Sequence, residues 1–311
     1  MPEIQNGSSL GKYDGFIVAG MGGSHWGSDI LRTWKPELDL IIHSDYGFPA
    51  HIKDEWLPKK LFIASSYSGN TEETIDALAH ARKKNMAVAV ISVGGKLLEI
   101  AKRDNLPYIQ FPETGIQPRS ALGFSIKALL RLMRQDAAMD ELRDLSGILD
   151  AHMEFFEKEG ETLANRLTGY VPIIYSSSRN SSIAHSWRIK FNETGKIPAF
   201  SDVFPEMNHN GMTGFDVQEK TKTLSERFYF LMLKDAQDHP QVQKRMEVTS
   251  ALYRERGLRC EILSLEGGTV WEKIFSSLLI ADFAAYHTAM KYGVEAEQVP
   301  MVEELKKRIA D

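Results

Sequence analysis

Short apolar runs recur along the chain, in alternation with segments whose apolar residues are spaced three or four apart. In the first half, five apolar runs of strand length are separated by turns and by segments of helical spacing. The predicted strands are residues 15–20, 38–43, 61–65, 86–92 and 108–111. Strands that alternate with helices in this way form a parallel sheet with helices on both faces. The first half is therefore predicted to be an α/β domain.

The second half repeats this alternation. Its predicted strands and helices are residues 169–175, 225–234, 240–256, 258–265 and 269–291, followed by a final helix that starts at Pro300. We interpret the polar, helical stretch 135–167 as the connection between the two halves. The predicted fold class is α/β, with two doubly wound domains at residues 1–150 and 151–311, each a parallel sheet flanked by helices.

Residues 61–78 join an apolar strand to a helix through a loop rich in hydroxyl groups. Ser66, Ser68 and Thr71 offer side-chain donors, and Gly69 lets the backbone fold closely around a ligand. The first N–H groups of a helix lack intrahelical partners and carry partial positive charge. A strand, such a turn and a helix start can therefore hold an anion such as a phosphate. The loop has no Lys or Arg, so it is not a Walker-type phosphate loop.

The same loop allows a purely structural role. Asn70 is a favourable N-cap residue, and Glu73 sits at the third helical position, as in a capping box. Glu72 and Glu73 would also satisfy the helix dipole without any ligand. The residues of the loop alone do not decide between a capped helix and an anion site.

A glycine-rich turn follows the first predicted strand. Gly22 and Gly23 permit close backbone approach to a ligand just before Ser24, but the dinucleotide spacing G-x-G-x-x-G fails at His25. In parallel sheets, ligands bind beyond the carboxyl ends of the strands. This turn and the loop 65–71 can therefore face one crevice, although the turn alone is equally consistent with a tight connection that binds nothing.

Four further positions carry candidate chemistry. Arg119 is predicted to begin a helix over 119–133, where the dipole disfavours a cation, and Glu193 falls in the last turn of another helix. The negative end of that helix disfavours an ionised carboxylate, which suits a general base. His209 lies in a polar loop, and the serine-rich stretch 176–182 allows either helix capping or a second phosphate site. Each of these features is also compatible with an ordinary surface role.

Composition narrows the classes of function. The 311 residues carry a formal net charge of −5, which argues against non-specific binding to nucleic acid or to an anionic membrane. The single cysteine, Cys260, excludes an internal disulfide and fits a reducing cytoplasm. The nine histidines are scattered and no C-x-x-C or H-E-x-x-H motif is present, which argues against a zinc site. We therefore predict a cytoplasmic protein with no metal ion.

Five motifs together resemble a known family. GMGGS at 20–24, SYSGNTEET at 66–74 and PRSALGF at 118–124 are similar to the first domain of sugar isomerase (SIS) proteins. NETGK at 192–196 and PEMNHN at 205–210 are similar to the second half of the bifunctional phosphoglucose/phosphomannose isomerases. The resemblance spans nearly the whole chain in the right order, and Leu305 and Lys306 fit the last helix of that family.

This resemblance implies two SIS-like domains and an aldose–ketose isomerase. Such an enzyme interconverts glucose 6-phosphate and fructose 6-phosphate, and also mannose 6-phosphate and fructose 6-phosphate. The resemblance further implies that the substrate phosphate is held by the hydroxyl groups of Ser24, Ser66, Ser68 and Thr71, with the backbone of Gly22 and Gly23 alongside.

The resemblance also implies a division of catalytic roles. Glu193 is the base that moves a proton between C1 and C2 through an enediolate, and Arg119 stabilises the negative charge on that intermediate. His209 assists ring opening, with Lys306 nearby. No metal or redox cofactor is implied, because the proton moves within the substrate. The family resemblance implies a homodimer with active sites at the interface, where His209 reaches over from the partner subunit.

Three positions depart from the family pattern. The usual NENAK is NETGK here, which keeps Glu193 and alters its surroundings. A threonine that is linked to acceptance of both C2 epimers aligns with Val299. Two alternatives remain open: a non-catalytic SIS-domain sugar-phosphate sensor, and an SIS isomerase that acts on another sugar phosphate.

Overall fold

The computed structural model describes residues 2–310 and divides into two compact units. The first unit ends at Arg143 and the second begins at Asp144. The predicted domain boundary, between residues 150 and 151, lies a few residues further along the chain. The short helix Leu145–Asp150, which falls between the two boundaries, packs on the long helix Val270–Tyr292 of the second unit.

The first unit is a parallel five-stranded sheet with helices on both faces. Its elements are β1 Gly15–Ala19, α1 Gly23–Trp34, β2 Leu40–His43, β3 Lys60–Ser65, α2 Glu72–Lys83, β4 Ala87–Ser92, α3 Gly95–Arg103, β5 Tyr108–Gln110, α4 Leu122–Leu132 and α5 Asp136–Glu141. The strand order is β2-β1-β3-β4-β5, and every pairing is parallel. The five strands predicted from apolar runs are confirmed, with ends shifted by one or two residues.

The strands of the first unit are apolar without alternation because both faces of the sheet are covered. Every residue of β1 and β3 is buried. Ile17 and Phe62 point to the face that α2 and α3 cover, where they join one apolar cluster with Leu78 and Leu97. The helices α1 and α4 pack against each other. α1 contacts β1 and β2, and α4 contacts β4. Continuous apolar strands are typical of a parallel sheet sandwiched in this way.

The second unit repeats this architecture with one strand fewer. Its elements are α6 Leu145–Asp150, α7 Met153–Leu167, β6 Val171–Ser177, α8 Ser181–Glu193, β7 Phe200–Phe204, α9 Lys222–Ser225, β8 Phe228–Lys234, α10 Pro240–Glu255, β9 Arg259–Ser264, α11 Val270–Tyr292 and α12 Pro300–Ala310. The strand order is β7-β6-β8-β9, and all pairings are parallel. The order matches β2-β1-β3-β4, so β6 corresponds to β1 and β8 corresponds to β3.

The strand β7 was not predicted from the sequence. It reads Phe-Ser-Asp-Val-Phe and lies at the edge of its sheet, with Phe200 exposed and Phe204 fully buried. An edge strand is covered on fewer sides than a central one, so its sequence alternates with polar residues and lacks the continuous apolar run of the other strands.

The interpretation of residues 135–167 as a polar connection was wrong for its second half. The helix α7 packs along α11, and Phe156, Leu163 and Leu167 are buried in that contact. At Gly160 an added Cβ would lie 2.4 Å from the Cβ of Phe283, so the two helices approach closely there. α7 is therefore a structural helix of the second unit. In the described chain, α11 included, no helix is both long and apolar enough to cross a lipid bilayer.

A buried polar cluster lies where β6 and β8 end. The Lys273 ammonium donates to Asp235 at 2.7 Å, and the Ser177 hydroxyl donates to Asp238 at 2.6 Å. The Asn180 amide donates to both carboxylates at 3.2 Å. Burial alone would raise the pKa of Asp235, but the hydrogen bonds and charge of Lys273 hold it below its ordinary value. Burial is also the largest influence on Asp238, whose pKa is raised.

Removal of the buried ammonium tests this cluster. Lys273→Met leaves the 2 % exposed side chain of Asp235 without its ion pair. We expect the variant to lose about 3–5 kcal/mol of unfolding free energy, since an uncompensated charge stays buried. Urea denaturation followed by circular dichroism measures the loss. The double variant Lys273→Met/Asp235→Asn should recover most of it.

Lys234→Met is the matched control, because Lys234 pairs with the more exposed Glu247. Its expected cost is below about 1 kcal/mol. Equal losses from the two lysine variants would contradict the view that the buried pair stabilises this unit.

Candidate active site

The reversal of strand order in the first unit places two loops beside each other. β1 and β3 are neighbours, and the chain winds outward from them in opposite directions, to β2 and to β4. Ligands of open α/β sheets bind at such a reversal, outside the carboxyl ends of the strands. The loops that leave β1 and β3 there are residues 20–24 and 65–71, which the sequence analysis expected to face one crevice.

Two hydrogen bonds confirm that these loops meet. The Ser65 hydroxyl donates to the backbone carbonyl of Ser24 at 2.8 Å. In return, the backbone N–H of Tyr67 donates to the Ser24 hydroxyl at 2.9 Å. The Ser24 oxygen is thereby fixed as an acceptor, and its own hydrogen can be donated to a ligand.

Ser66 and Thr71 form the centre of the second loop. Their hydroxyl oxygens lie 2.8 Å apart, and the Ser66 oxygen also accepts the N–H of Gly69 at 3.0 Å. Ser66 is buried and Thr71 is half-buried. Ser68 is exposed, and its hydroxyl accepts the N–H of Asn70 at 3.3 Å. The Ser68 oxygen is held by an N–H group, so its O–H hydrogen can point at an anion. One hydrogen of the Ser66–Thr71 pair lies between the two oxygens, and the other can point at an anion.

The capping box that the sequence allowed does not form. The residue that precedes α2 is Thr71, and no side chain caps the helix start. The side-chain amide oxygen of Asn70 instead accepts the N–H of Lys96, in the first turn of α3, at 3.1 Å. Desolvation and the nearby carboxylates of Glu72 and Glu73 raise the pKa of Tyr46. The N–H groups at the start of α2 therefore keep the anion-binding capacity that a capping box would have satisfied.

The backbone conformation and the close packing at position 69 require a glycine. Its φ is +73°, and an added Cβ would lie 1.8 Å from the carbonyl oxygen of Gly94. The Gly69 carbonyl accepts the N–H of Leu97 at 2.9 Å. The loop is thus held against the start of α3 by its own backbone, which fixes its shape before any ligand arrives.

Arg119 does not begin a helix as predicted. It lies in a 3-10 turn, Pro118–Ser120, and the helix α4 starts only at Leu122. An Arg in the first turn of an α-helix would face the positive end of the dipole, and the intervening turn removes that conflict. The side chain of Arg119 is half-buried.

The glycine turn brings this Arg-bearing segment next to Ser24. An added Cβ at Gly23 would lie 3.1 Å from the carbonyl oxygen of Pro118 and 3.3 Å from the N of Arg119. Gly22 precedes α1 with a φ of +52°, and α1 also starts without a side-chain cap. The first unit therefore gathers Gly22, Gly23, Ser24, Ser66, Ser68, Thr71 and Arg119 at one edge of its sheet.

The corresponding edge of the second unit has the opposite charge. Because β8 corresponds to β3, the counterpart of the loop 65–71 is residues 235–239, which holds the buried carboxylates of Asp235 and Asp238. The serine-rich stretch 176–182 follows β6 and so corresponds to the glycine turn instead. Its Ser177 hydroxyl accepts the N–H of Asn180, which is the capping role that the sequence allowed. Two carboxylates oppose an anion, so this edge does not repeat the anion site.

Glu193 is the last residue of α8, as predicted, and is half-buried. Asn192 and Lys196, which belong to the same motif, make hydrogen bonds that hold the C-terminal end of α8 in place. Asn192 accepts the N–H of Ala199 at 2.8 Å, and the Lys196 ammonium donates to the carbonyl of Glu193 at 2.5 Å and to the carbonyl of Gln298. The sequence analysis gave Lys196 no role, because a lysine's contact with a distant backbone carbonyl leaves no pattern in a single sequence.

His209 is presented by a loop whose other residues have structural contacts. Met207 is fully buried, and the Asn208 amide donates to the hydroxyl of Thr249 at 2.9 Å. The Asn210 amide donates to the carboxylate of Glu206 at 2.9 Å. The imidazole of His209 is exposed and makes no hydrogen bond within residues 2–310.

Glu193 and His209 lie at opposite ends of the strands of the second sheet. α8 starts at the carboxyl end of β6 and runs back for 13 residues, about 20 Å at the rise of an α-helix, so Glu193 is near the amino ends of the strands. His209 follows the carboxyl end of β7, the strand that starts after Glu193. The length of β7 separates them, roughly 16 Å. One copy of the second unit therefore does not bring these two side chains together.

Lys306 lies on α12 and is exposed. Its ammonium forms an ion pair with Glu303 at 2.7 Å, one turn earlier on the same helix. Val299 lies immediately before α12, and its carbonyl accepts the N–H groups of Val302 and Glu303. Within the part of the chain that the structure describes, the His, Cys, Asp and Glu side chains form no cluster of three or more that could hold a metal ion.

Comparisons with known proteins agree with the fold. Residues 156–309 match the family model of the bacterial phospho-glucose isomerase C-terminal SIS domain. A crystal structure of a hypothetical protein from Thermus thermophilus superposes with a TM-score of 0.72 and 19% identity, over 96% of this chain and 84% of that one. This likeness confirms the predicted fold of two doubly wound α/β domains, and the family model identifies the second as an SIS domain.

Two curated relatives extend the match along the chain. A bifunctional phosphoglucose/phosphomannose isomerase of Aquifex aeolicus (strain VF5) is 30% identical, over 96% of this chain and 92% of its own length. A protein of the same name from Caldicellulosiruptor bescii is 33% identical, over 96% of this chain and 90% of its own length. The chain therefore belongs to the bifunctional phosphoglucose/phosphomannose isomerase family.

Proposed function

We propose that this protein is an aldose–ketose isomerase that interconverts glucose 6-phosphate and fructose 6-phosphate, and also mannose 6-phosphate and fructose 6-phosphate. The observation that carries the proposal is the anion site of the first unit. It combines the uncapped start of α2, three ordered hydroxyl groups and a nearby Arg at the strand-order reversal. Family membership supports the reaction, and the site supports a phosphorylated substrate.

The phosphate group is the inert end of the substrate. Ser24 and the hydrogen-bonded pair of Ser66 and Thr71 donate O–H groups to it, the start of α2 adds N–H groups, and the exposed Ser68 closes the outer side. Hydrogen bonds to a charged group contribute about 1.5–3 kcal/mol each. Because the oxygens of these hydroxyls are already fixed within the loops, the donors need little reordering when the substrate binds.

Glu193 moves the proton. Its carboxylate removes the proton from C2 of the open-chain aldose, which leaves an enediolate with negative charge on O1 and O2. The same proton returns to C1, and the hydroxyl proton passes from O2 to O1, so the product is the ketose. Arg119 stabilises the enediolate by its positive charge. His209 assists ring opening, with Lys306 nearby: as the bond between the anomeric carbon and the ring oxygen breaks, the ring oxygen gains a proton and the anomeric hydroxyl loses one.

We propose that the enzyme acts as a homodimer with its active sites at the subunit interface. The separation of Glu193 and His209 within one second unit supports this, because a second copy can supply the missing imidazole. We also propose a reducing compartment, the cytoplasm, since Cys260 is a buried free thiol.

Replacement of the base tests the reaction. Glu193→Gln keeps the shape of the side chain and removes its basicity, so we expect kcat for fructose 6-phosphate to fall by about 10²–10⁴-fold. A coupled assay for glucose 6-phosphate measures it. Glu255→Gln is the matched control, because Glu255 is likewise the last residue of a helix in the second unit. Its turnover should equal that of the wild type.

Near-normal turnover by Glu193→Gln would remove Glu193 from the mechanism. Tight binding of sugar phosphates by the wild type without any turnover would favour the sensor in place of the enzyme. Side-by-side rates on glucose 6-phosphate, mannose 6-phosphate and arabinose 5-phosphate identify the substrate, and mannose 6-phosphate is the informative member because Val299 lacks a hydroxyl.

Loss of one loop hydroxyl tests the phosphate site. Thr71→Val is nearly isosteric and removes a single donor, so we expect kcat/KM to fall by about 10–100-fold, mainly through KM. Ser178→Ala, at the corresponding edge of the second unit, is the control and should leave KM unchanged. The phosphate assignment fails if both variants show the wild-type KM.

Subunit mixing tests the shared site. Glu193→Gln and His209→Gln chains should each be weakly active, and hybrid dimers should hold one intact site each. Random reassociation makes half of the dimers hybrids, so activity is expected to rise to roughly a quarter of the wild-type value, as closed two-fold symmetry requires. A mixture that is no more active than the sum of its parts would show that both residues act within one chain.

A further inference from the structure

The position of His209 is set by its backbone, because its exposed imidazole makes no hydrogen bond within residues 2–310. The His209 N–H donates to the carbonyl of Glu206 at 2.9 Å, which closes a turn over residues 206–209. The Asn210 amide donates to the carboxylate of Glu206 at 2.9 Å and braces this turn from its far side. Where the imidazole lies therefore depends on what fastens the turn to the rest of the second unit.

Two consecutive side chains fasten the turn to the helix α10. Met207 is fully buried and shares an apolar cluster with Met246 of α10. The Asn208 amide donates to the hydroxyl of Thr249, three residues further along α10, at 2.9 Å. Thr249 is 2% exposed, so the acceptor of this bond is fixed in the core. Met207 sets the depth of the turn, and the hydrogen bond of Asn208 sets its rotation.

Both polar groups of the Asn208 side chain have partners. Besides its bond to Thr249, the amide nitrogen donates to the sulfur of Met212 at 3.5 Å, and the amide oxygen accepts the Arg245 guanidinium at 3.3 Å. An Asn amide has two donor hydrogens and one acceptor oxygen, so these partners define a single orientation of the side chain. A residue held in this way directly before His209 restricts the backbone of the histidine.

We propose that Asn208, through its bond to Thr249, is a positioning residue for the ring-opening step. The inference rests on the proposed function, in which His209 assists that step. When fructose 6-phosphate opens, the bond between C2 and O5 breaks, O5 gains a proton and the C2 hydroxyl loses one. Proton transfer needs hydrogen-bond distance, and a displacement of about 1 Å can cost about 100-fold in rate. An imidazole on an exposed turn gains that precision from the turn that carries it.

A substrate that is always open-chain isolates this step. 5-Deoxyfructose 6-phosphate lacks O5, the oxygen that closes the ring on C2, so its isomerisation needs Glu193 but no ring opening. Thr249→Val removes the acceptor with little change in shape. We expect it to lower the ratio of kcat for fructose 6-phosphate to kcat for this analogue by about 10-fold, at an unchanged KM. Proton NMR follows both conversions on one preparation, so a loss of folded protein cancels in the ratio.

Further variants trace the effect to one hydrogen bond. Thr249→Ser keeps the hydroxyl and should restore the wild-type ratio. Ser250→Ala is the matched control, because Ser250 is also 2% exposed and follows Thr249 on α10, but its hydroxyl accepts the Cys260 thiol at 3.4 Å. This control should keep the wild-type ratio. Asn208→Leu should lower the ratio, and Asn208→Leu/Thr249→Val should lower it no further, since both changes break the same bond.

The variant His209→Gln separates this inference from the function on which it rests, and it too should lower the ratio. If it does so while Thr249→Val keeps the wild-type ratio, or slows both substrates equally, the positioning role is overturned and the proposed role of His209 stands. Effects of Asn208→Leu and Thr249→Val that multiply in the double variant would also overturn the positioning role. If His209→Gln converts both substrates at wild-type rates, the proposed role of His209 fails, and the positioning role fails with it.

Discussion

The reversal of strand order between β1 and β3 is the constraint on which the site of the first unit depends. Two parallel neighbours that send their chains outward in opposite directions leave a gap above their carboxyl ends. The hydrogen bond between Tyr67 and Ser24 closes the side of this gap, and the hydrogen bond from the N–H of Leu97 to the Gly69 carbonyl ties the second loop to α3. The uncapped helix start then faces the gap with its N–H groups.

The second unit shows that the fold alone does not create an anion site. Its sheet has the same strand order, yet Asp235 and Asp238 occupy the loop that corresponds to Ser66 and Thr71. Lys273 and Asn180 satisfy those carboxylates from within. In the proposed enzyme the two units thus divide the work: the first holds the phosphate, and the second carries the base at the end of a helix that is fastened by Lys196.

The sequence predicted the fold well because buried parallel strands leave continuous apolar runs. It missed β7, whose edge position leaves an alternating pattern, and it placed Arg119 in a helix that starts three residues later. The Asn70 cap that the sequence allowed does not form, because the Asn70 side chain accepts the N–H of Lys96 in a different element. Long-range hydrogen bonds of this kind depend on which elements are neighbours in the fold, and a single sequence does not display that. The correspondence between β8 and β3 depends on it in the same way. The roles of Glu193, His209, Arg119 and Lys306 remain predictions.

A crystal structure with fructose 6-phosphate bound tests the central claim most directly. The account predicts phosphate oxygens at hydrogen-bond distance, about 2.6–3.2 Å, from the hydroxyls of Ser24, Ser66 and Thr71, with C1 and C2 of the sugar within reach of Glu193. A phosphate group bound outside the loops 20–24 and 65–71, or a sugar whose C1 and C2 lie far from Glu193, would contradict it.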